Sequence, residues 1–539
     1  MKTFPLKTAL TFTTAVGILA ITHQIAHDKG LSPAIFAEAA HLNLIHHAAK
    51  PAPPPAIAAV KPHATGKKPD GTPCPTIPGA HTNPRPISPY FIDDCHTLDP
   101  FFAALHDLEQ PAKPGAPEVV TVLHYGDSPT TADLITGDVR ELLQTRFGDA
   151  GRGYLLAAKP WAWYGHRGVD LSDKGWTIST AVGKGKEDVY GLGGASFEGG
   201  PGASTHITIT KADQSSVEIA YLAKPDGGTL SIQANDTALE SVPTSADAKA
   251  LSWHTVMLPP GTKTVDLKPT GGSVRLYGES FRTGQRGILY DSLGLNGAST
   301  SVLSNGFNNA AWAAALQHTQ PKLVIINYGT NESGFGAYVD KQYEPTLLHA
   351  IQRIRAALPG VPILVMAPMD RGQRSGVDEI KTYDTIPRII AIQRRIAAEQ
   401  NCAFFDTFSA MGGDGTMSRW YTGHPRLVAG DLIHPTPQGA AIVANLFVKD
   451  LSLAYDRYLG HDAAVSVQVP TQPSTPPAPK PAPPTQAAPS KPSPPPLTVI
   501  PKPKPSAAGD PVPSTPAPTP PSPEPVPTTE PKPDPPNQS

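Results

Sequence analysis

Buried strands and amphipathic helices alternate in two parts of this chain. The apolar run Val119 to Leu123 predicts a buried strand, and Asp133 to Phe147 carries apolar residues at helical spacing. The alternation resumes after Gly287, in the strand and helix pairs 287–295 and 304–316, 322–328 and 343–358, 362–367 and 387–399, and 403–405 and 437–458. Strands that alternate with helices in this way predict an α/β fold, a parallel sheet covered by helices on both faces.

The segment between these two parts, from Asp170 to Thr283, has a different pattern. Apolar and polar residues alternate with a period of two in short stretches at 205–210, 216–222, 229–234, 255–258 and 273–277. Turn sequences rich in proline and glycine separate the stretches, at 225–228, 259–261 and 271–272. The pattern predicts an all-β sandwich inserted into the α/β domain.

Proline is concentrated toward the two ends of the chain, which has 539 residues and 64 prolines. From Pro470 onward the prolines are interleaved with Thr, Ser, Ala and Lys, a composition that cannot bury a hydrophobic core. We therefore expect a disordered tail there and a linker in the Ala- and Pro-rich residues 29–87. The formal net charge of −2 gives no basic excess, so we expect no nucleic-acid partner.

The N-terminus has the pattern of a signal peptide. Two basic residues, Lys2 and Lys7, precede an apolar stretch from Ala9 to Ile21. This stretch is short for a membrane span but has the length of the hydrophobic part of a signal peptide. We therefore expect a periplasmic or secreted protein. An uncleaved anchor in the inner membrane is the competing interpretation, because no single cleavage point stands out after Ile21.

The three cysteines fit an oxidising compartment. Cys74 and Cys95 flank a Pro-rich segment without the His or Cys spacing of a zinc site, so we expect a disulfide between them. Cys402 lies beside an apolar run and is expected to be buried. The sequence has no His-Glu-x-x-His or similar ligand spacing, and we expect neither a metal nor an organic cofactor.

The candidate catalytic residues lie where the predicted strands end. Gly126-Asp127-Ser128 follows the first strand, and the sequences at 294–297 and 329–332 follow two later strands. Reactive groups of an open parallel sheet gather at the carboxyl ends of its strands. Asp431 and His434 form an Asp-x-x-His pair shortly before the last predicted helix. A serine hydroxyl needs an imidazole to accept its proton, and the imidazole needs a carboxylate to fix its tautomer, so Ser128, His434 and Asp431 are candidates for these roles.

Attack by Ser128 on an ester would need donors for the oxyanion. The candidates are the backbone N–H groups of Ser128 and Gly297 and the side-chain amide of Asn331. Gly294 stays an alternative to Gly297, although the Asn-Gly pair at 296–297 favours Gly297 because it suits a sharp strand exit. Pro129 has no N–H, so the residue after the serine cannot contribute a donor.

The four blocks Gly-Asp-Ser, a later glycine, Gly-Thr-Asn-Glu and Asp-x-x-His resemble the signatures of the SGNH (GDSL-type) hydrolase family. Within it, the chain most resembles bacterial peptidoglycan O-acetylesterases, in which a carbohydrate-binding-like β-sandwich lies between the first and second blocks. The resemblance implies a flavodoxin-like three-layer fold and a cell-envelope polysaccharide O-acetyl ester as substrate. It implies Ser128 as nucleophile, His434 as general base, Asp431 as its orienting acid, and Gly297 and Asn331 as oxyanion donors.

These patterns divide the chain into six segments. We expect a signal peptide or N-terminal anchor at 1–28, a linker at 29–87, the first part of the SGNH hydrolase domain at 88–169, the inserted β-sandwich at 170–283, the second part of the hydrolase domain at 284–460 and the Pro-rich tail at 461–539.

The leading hypothesis is a serine carbohydrate esterase that removes O-acetyl groups through an acetyl-Ser128 intermediate, with acetylated polysaccharide or peptidoglycan as its partner. An O-acetyltransferase or deacetylase acting on an exopolysaccharide such as cellulose stays open, because transfer and hydrolysis share the acyl-enzyme. A non-catalytic glycan-binding envelope protein is the third interpretation. The sequence assigns no oligomeric state and no substrate-binding residues. Arg152, Arg371 and His424 could line a charged glycan site, although solvated surface is the commoner place for such side chains.

Overall fold

The structure is a computed structural model that describes residue 74 and residues 88–112, 118–182, 189–211, 213–376 and 379–460. The predicted signal peptide or anchor, most of the linker and the tail lie outside the described residues. Within the described ranges, no helix is both long enough and apolar enough to cross a bilayer.

The strands, in chain order, are β1 (Phe91–Ile92), β2 (Val119–Gly126), β3 (Gly153–Leu156), β4 (Val169–Lys174), β5 (Thr177–Thr180), β6 (Ala195–Gly199), β7 (Ser204–Ile209), β8 (Ser216–Ala223), β9 (Thr229–Ala234), β10 (Thr237–Pro243), β11 (Ala250–Met257), β12 (Thr264–Gly271), β13 (Val274–Arg282), β14 (Gly287–Gly294), β15 (Leu323–Asn327), β16 (Ile363–Met366), β17 (Gly372–Arg374), β18 (Ile380–Thr382) and β19 (Ala403–Phe405).

The α-helices are α1 (Asp99–Glu109), α2 (Ser128–Thr131), α3 (Ile135–Phe147), α4 (Asn309–Thr319), α5 (Gly336–Tyr338), α6 (Glu344–Ala357), α7 (Thr385–Glu399), α8 (Thr407–Ala410), α9 (Thr416–Thr422) and α10 (Pro437–Tyr458). Short π-helical turns occupy Val302–Gly306 and Val339–Tyr343, and a 3₁₀ turn occupies Glu332–Gly334.

A central sheet organises the α/β part of the molecule. Its strand order is β1-β19-β16-β15-β2-β14, and its strands are parallel except for the short edge strand β1. The five parallel strands follow the flavodoxin-like order 2-1-3-4-5, in which the chain reverses direction across the sheet beside its first strand. Because β2 is that first strand, its carboxyl end lies at the reversal point, where open α/β sheets place their ligands.

Helices cover both faces of this sheet. Alternate residues of β2 point to opposite sides, so that Val120 and Val122 belong to one hydrophobic cluster and Leu123 and Tyr125 to another. The first cluster contains residues of α1, α3 and α10, and the second contains residues of α4, α6 and α7. The fold is therefore three-layered, as predicted.

Two further antiparallel sheets lie between β2 and β14 in the sequence. Their orders are β10-β9-β12-β7-β4 and β11-β8-β13-β6-β5, and residues of both sheets, among them Ile207, Ile232, Val217 and Leu276, enter a common hydrophobic cluster. The strand-rich region starts before residue 170, since β3 pairs with β13 although the sequence assigns it to the first part of the hydrolase domain. Its last strand, β13, leads after a short turn into β14 of the central sheet.

Two of the three cysteines are paired in the structure. Cys74 and Cys95 form a disulfide, and Cys402 is a buried free thiol. In the described part of the chain, no group of three or more His, Cys, Asp or Glu side chains is arranged to hold a metal ion.

Candidate active site

Ser128 is the first residue of the one-turn helix α2, which follows β2 directly after Asp127. The backbone N–H of Thr131 donates to the carbonyl of Asp127 at 2.9 Å, and the Thr131 hydroxyl donates to the same oxygen at 3.0 Å. Glycine is needed at position 126, because a Cβ there would lie 2.2 Å from Oγ1 of Thr130. The turn holds the partly exposed Ser128 side chain at the carboxyl edge of the central sheet.

The structure brings Ser128, His434 and Asp431 together. Oγ of Ser128 lies 2.6 Å from Nε2 of His434, and Nδ1 of His434 lies 2.6 Å from Oδ2 of Asp431. The other Asp431 oxygen, Oδ1, accepts from the backbone N–H groups of Ile433 at 3.0 Å and His434 at 3.1 Å. Residues 306 positions apart in the sequence therefore form one hydrogen-bonded chain of hydroxyl, imidazole and carboxylate.

Leu432 fixes the loop that carries Asp431 and His434. Its side chain is buried, and its backbone has a positive φ of 62°. The Leu432 carbonyl accepts from the backbone N–H of Gly372 at 2.9 Å, and the His434 carbonyl accepts from that of Ala429 at 2.8 Å. Helix α10 starts shortly afterwards, with Thr436 as its N-cap. Both functional side chains therefore project from an anchored turn.

The negative charge of Asp431 makes the His434 imidazole a stronger base. Burial lowers the pKa of His434, but the hydrogen bond to Asp431 and its negative charge outweigh burial and raise that pKa above its ordinary value. Burial raises the pKa of Asp431, and the hydrogen bond and charge of His434 outweigh it, so that the pKa of Asp431 is lowered. Asp431 thus stays ionised where His434 accepts a proton.

The oxyanion candidates lie on two loops that touch each other. The side-chain amide nitrogen of Asn331 donates to the carbonyl of Ala298 at 2.7 Å, next to Gly297. Gly297 has a φ of 73°, and a Cβ on it would meet no atom within 4 Å. The Asn331 amide keeps a second hydrogen, and the space beside Gly297 is open.

Gly294, the alternative donor, belongs to β14 and is paired with Gly126. A Cβ at Gly294 would lie 2.1 Å from the backbone nitrogen of Thr131, in the turn that follows Ser128. The need for close packing against the serine turn accounts for this glycine.

Buried acids lie behind these loops. Glu332 is 2% exposed, and burial raises its pKa. Its Oε1 accepts from both the backbone N–H and the hydroxyl of Thr300, and its Oε2 accepts from the backbone N–H of Gly329. Burial, together with the charge of Glu332, raises the pKa of Asp127 to about 7. Glu332 therefore links Thr300 to the turn at Gly329, and Asp127 is a second buried acid beside the serine.

Arg371, for which the sequence leaves a charged glycan site and solvated surface open, lies beside the loop of Asn331. One of its guanidinium nitrogens donates to the Thr330 carbonyl and to the Ser333 hydroxyl, at 2.9 Å each. Its charge also lowers the pKa of His434. By contrast, Arg152 is buried and donates to Gln144 at 2.8 Å, and His424 is exposed.

Comparisons with known proteins agree with the predicted fold. Residues 266–442 match the GDSL-like Lipase/Acylhydrolase family, a span that includes Gly297, Asn331, Asp431 and His434 but not Ser128. No curated protein matches the chain.

Among solved structures, a peptidoglycan O-acetylesterase is similar with a TM-score of 0.56 and 22% identity, over 66% of this chain and 96% of that one. A salicylyl-acyltransferase from a tetracycline biosynthetic pathway matches with a TM-score of 0.26 and 15% identity, over 56% of this chain and 97% of the other. The family match and the first of these structures confirm the predicted SGNH hydrolase fold.

Proposed function

We propose that this chain, whose residues 266–442 match the GDSL-like Lipase/Acylhydrolase family, is a serine carbohydrate esterase that removes O-acetyl groups from a cell-envelope polysaccharide. The observation that carries the proposal is the hydrogen-bonded chain from Ser128 through His434 to Asp431, with both contacts at 2.6 Å. Such a chain is what a serine needs to act as a nucleophile.

In the proposed reaction, Oγ of Ser128 attacks the acetyl carbonyl while Nε2 of His434 takes the hydroxyl proton. Asp431 holds the proton on Nδ1 and stabilises the imidazolium that forms. The N–H groups of Ser128 and Gly297 and the amide of Asn331 bind the oxyanion. The protonated His434 then gives its proton to the departing sugar oxygen, leaving an acetyl-Ser128 ester and a free sugar hydroxyl.

Deacylation repeats the same steps with water. His434 takes a proton from a water molecule, and the resulting oxygen attacks the acetyl-Ser128 carbonyl. The proton then passes to Oγ of Ser128, and acetic acid leaves and ionises to acetate in solution. Each turnover therefore consumes one ester and one water and restores the three side chains to their starting state.

The exposure of the site supports a polymeric substrate and hydrolysis. The His434 side chain is 36% exposed and that of Asp431 is 45% exposed, so the site lies at the surface and not in an enclosed cavity. A glycan chain can reach such a site without threading into the protein. Water can reach the acyl-enzyme as well, which favours hydrolysis over transfer to a second sugar.

We further propose that the protein works in the periplasm or outside the cell. The Cys74–Cys95 disulfide supports an oxidising compartment, and the apolar segment from Ala9 to Ile21 supports export. Anchoring through an uncleaved N-terminus is compatible with the same function at the membrane surface.

The test is acetate release from O-acetylated peptidoglycan, with a chromogenic acetate ester as a second substrate. Replacing Ser128 by alanine should reduce turnover of both substrates by about 10⁴-fold or more. Ser172→Ala, which removes a hydroxyl on the exposed face of β4, should keep wild-type turnover. Thermal unfolding of both variants verifies that they fold.

Three outcomes contradict parts of the proposal. Turnover by the Ser128→Ala variant would reject the nucleophile. Transfer of acetate to an added glycan acceptor in place of free acetate would make the protein an O-acetyltransferase. Wild-type protein that binds insoluble glycan but releases no acetate from any ester would be a glycan-binding protein.

A further inference from the structure

Two arginines share one tyrosine ring beside the loop that carries Asp431 and His434. The guanidinium carbon of Arg426 lies 4.5 Å from the centroid of the Tyr421 ring, and that of Arg374 lies 5.1 Å from it. A hydrogen bond from Arg374 and the positive charges of both arginines lower the pKa of Tyr421. We call Arg374, Tyr421 and Arg426 the arginine–tyrosine cluster.

Among the described residues, no acid forms an ion pair with this cluster. Neither Arg374 nor Arg426, both exposed, has an ion-pair partner among the residues that the structure describes. Other surface arginines do, since Arg388 pairs with Asp340 and Arg395 pairs with Glu344. Arg374 uses one N–H group for its hydrogen bond to Tyr421, and the remaining N–H groups of the two guanidiniums match the two oxygens of a carboxylate.

A buried carboxylate holds the cluster in place. Asp370 is 1% exposed, and its two oxygens accept from the Thr382 hydroxyl and from the backbone N–H of Met417, at 2.8 Å each. Thr382 belongs to the β17–β18 hairpin that carries Arg374, and Met417 belongs to helix α9, which carries Tyr421. Arg374 and Tyr421 therefore lie on two elements that are fixed to each other, as a binding site requires.

The cluster adjoins the catalytic loop from two sides. On one side, the N–H of Gly372, two residues before Arg374, donates to the carbonyl of Leu432. On the other side, the carbonyl of Arg426 accepts from the hydroxyl of Thr436 at 3.1 Å. Leu432 and Thr436 lie within two residues of His434 in the sequence, so the segments that carry Arg374 and Arg426 are attached to the loop of His434.

We propose that the arginine–tyrosine cluster binds a carboxylate of the polysaccharide next to the acetylated sugar. The enzyme then selects an anionic glycan over a neutral one such as xylan or cellulose. This inference rests on the proposed esterase function and narrows its substrate class. The carboxylate could belong to a uronic acid in the glycan or to a peptide attached to it, since both present the same two oxygens to the guanidinium groups.

The test compares the double variant Arg374→Gln, Arg426→Gln with the matched control Arg388→Gln, Arg395→Gln, which removes two surface arginines that are already ion-paired. Acetate release is measured on O-acetylated peptidoglycan fragments with free carboxylates, on the same fragments after amidation, and on an acetylated polyuronide before and after amidation. The quantity compared is the preference, as a ratio of kcat/KM, for the free carboxylate over the amide.

Wild type should prefer free carboxylates, and the double variant should lose about tenfold of that preference, equal to about 1.4 kcal/mol, mainly through KM. The control variant should keep it. Salt at about 1 M should weaken the wild-type preference, because it shortens the screening length to about 3 Å. A preference confined to the peptidoglycan fragments assigns the carboxylate to the peptide, and one confined to the polyuronide assigns it to the sugar.

Equal kcat/KM of the wild type on free and amidated substrates, or an unchanged preference in a double variant that folds, would overturn the inference and leave the esterase intact. If the double variant does not fold, the kcat/KM values of the wild type on free and amidated substrates, and their salt dependence, still test whether the enzyme selects a carboxylate. Wild-type protein that releases no acetate from any ester would instead reject the proposed function.

Discussion

Glu332 joins the second and third strand exits of the site through Thr300, whose backbone N–H and hydroxyl both donate to Oε1 of Glu332 at 2.8 Å. The second carboxylate oxygen accepts from the backbone N–H of Gly329 at 3.1 Å. The loops that carry Gly297 and Asn331 are thus held against each other by a buried acid. Glu332 is a positioning residue, since its oxygens are occupied by these donors.

Replacing Glu332 by glutamine should therefore lower both stability and turnover. Glutamine turns one oxygen into an NH₂ group that faces N–H or O–H donors, so at least one buried donor loses its acceptor. We expect the free energy of unfolding to fall by about 1 to 3 kcal/mol, with a lower kcat, in urea unfolding and acetate-ester assays. Glu240→Gln, at an exposed glutamate, serves as the control. Wild-type stability and turnover in the Glu332 variant would contradict the positioning role.

The pH dependence should identify His434 as the base. His434 must be neutral to accept the serine proton, and its pKa is raised, so kcat/KM should fall as the pH drops through a value above the ordinary histidine pKa of 6.5. In Asp431→Asn the partner charge is gone, the pKa of His434 falls, and this acid limb should move to lower pH. The rate should drop by up to about 10⁴-fold. A pH–rate profile of both proteins checks this, and an acid limb at the same pH in both would contradict it.

Asn331→Ala tests the oxyanion role of the amide. Removal of one oxyanion donor costs about 10² to 10³ in kcat, with little change in KM. Asn445→Ala is a matched control, because Asn445 also donates its amide to a backbone carbonyl at 2.7 Å, on the exposed surface of α10. Steady-state kinetics with an acetate ester should separate the two variants. Equal kcat values would remove Asn331 from the oxyanion site.

Glu279 should make the stability of the protein depend on pH. It is fully buried on β13, and within the described residues neither of its oxygens has a hydrogen-bond partner. Burial raises its pKa from 4.5 to about 8. The folded state therefore holds a proton that the unfolded state has lost, and this contribution to stability falls as the pH rises from about 4.5 to about 8.

Glu279→Gln should remove that dependence, so the variant should gain about 1 to 4 kcal/mol over the wild type at high pH. Urea unfolding at several pH values measures the gain. Glu198→Gln should instead lower the free energy of unfolding at neutral pH. Burial raises the pKa of Glu198, but Lys224 and Arg275 outweigh burial and lower that pKa to about 2. A gain that does not grow with pH in the Glu279 variant would contradict the prediction.

Much of the fold follows from local patterns in the sequence. The predicted bounds of β19 and α10 equal the observed ones, because a short apolar run and a proline after a capping threonine mark their starts. The helix predicted at 304–316 is divided instead into a π-helical turn and α4. Asn308 starts the second element by accepting from the N–H of Ala311 with its side chain.

Other parts of the fold depend on contacts that no local pattern reveals. The edge strand β10 is mostly exposed, so it lacks the apolar alternation by which a strand is predicted. Position 269 of β12 is a proline, which also obscures the pattern. The sequence names Ser128, Asp431 and His434 because their chemistry is distinctive. It does not name Arg374 and Arg426 as partners, since only the folded chain places both on one tyrosine.

The central position of β2 has a consequence for how the protein matures. Both strands that flank β2, namely β14 and β15, follow it in the chain only after the whole strand-rich region. During synthesis, the strand that leads to Ser128 emerges long before its neighbours, and both of its hydrogen-bonding edges stay unpaired until they follow. Such a chain folds slowly and exposes aggregation-prone edges, so assistance from a chaperone suits it. No ester can be cleaved before His434 has emerged, which confines activity to the finished molecule.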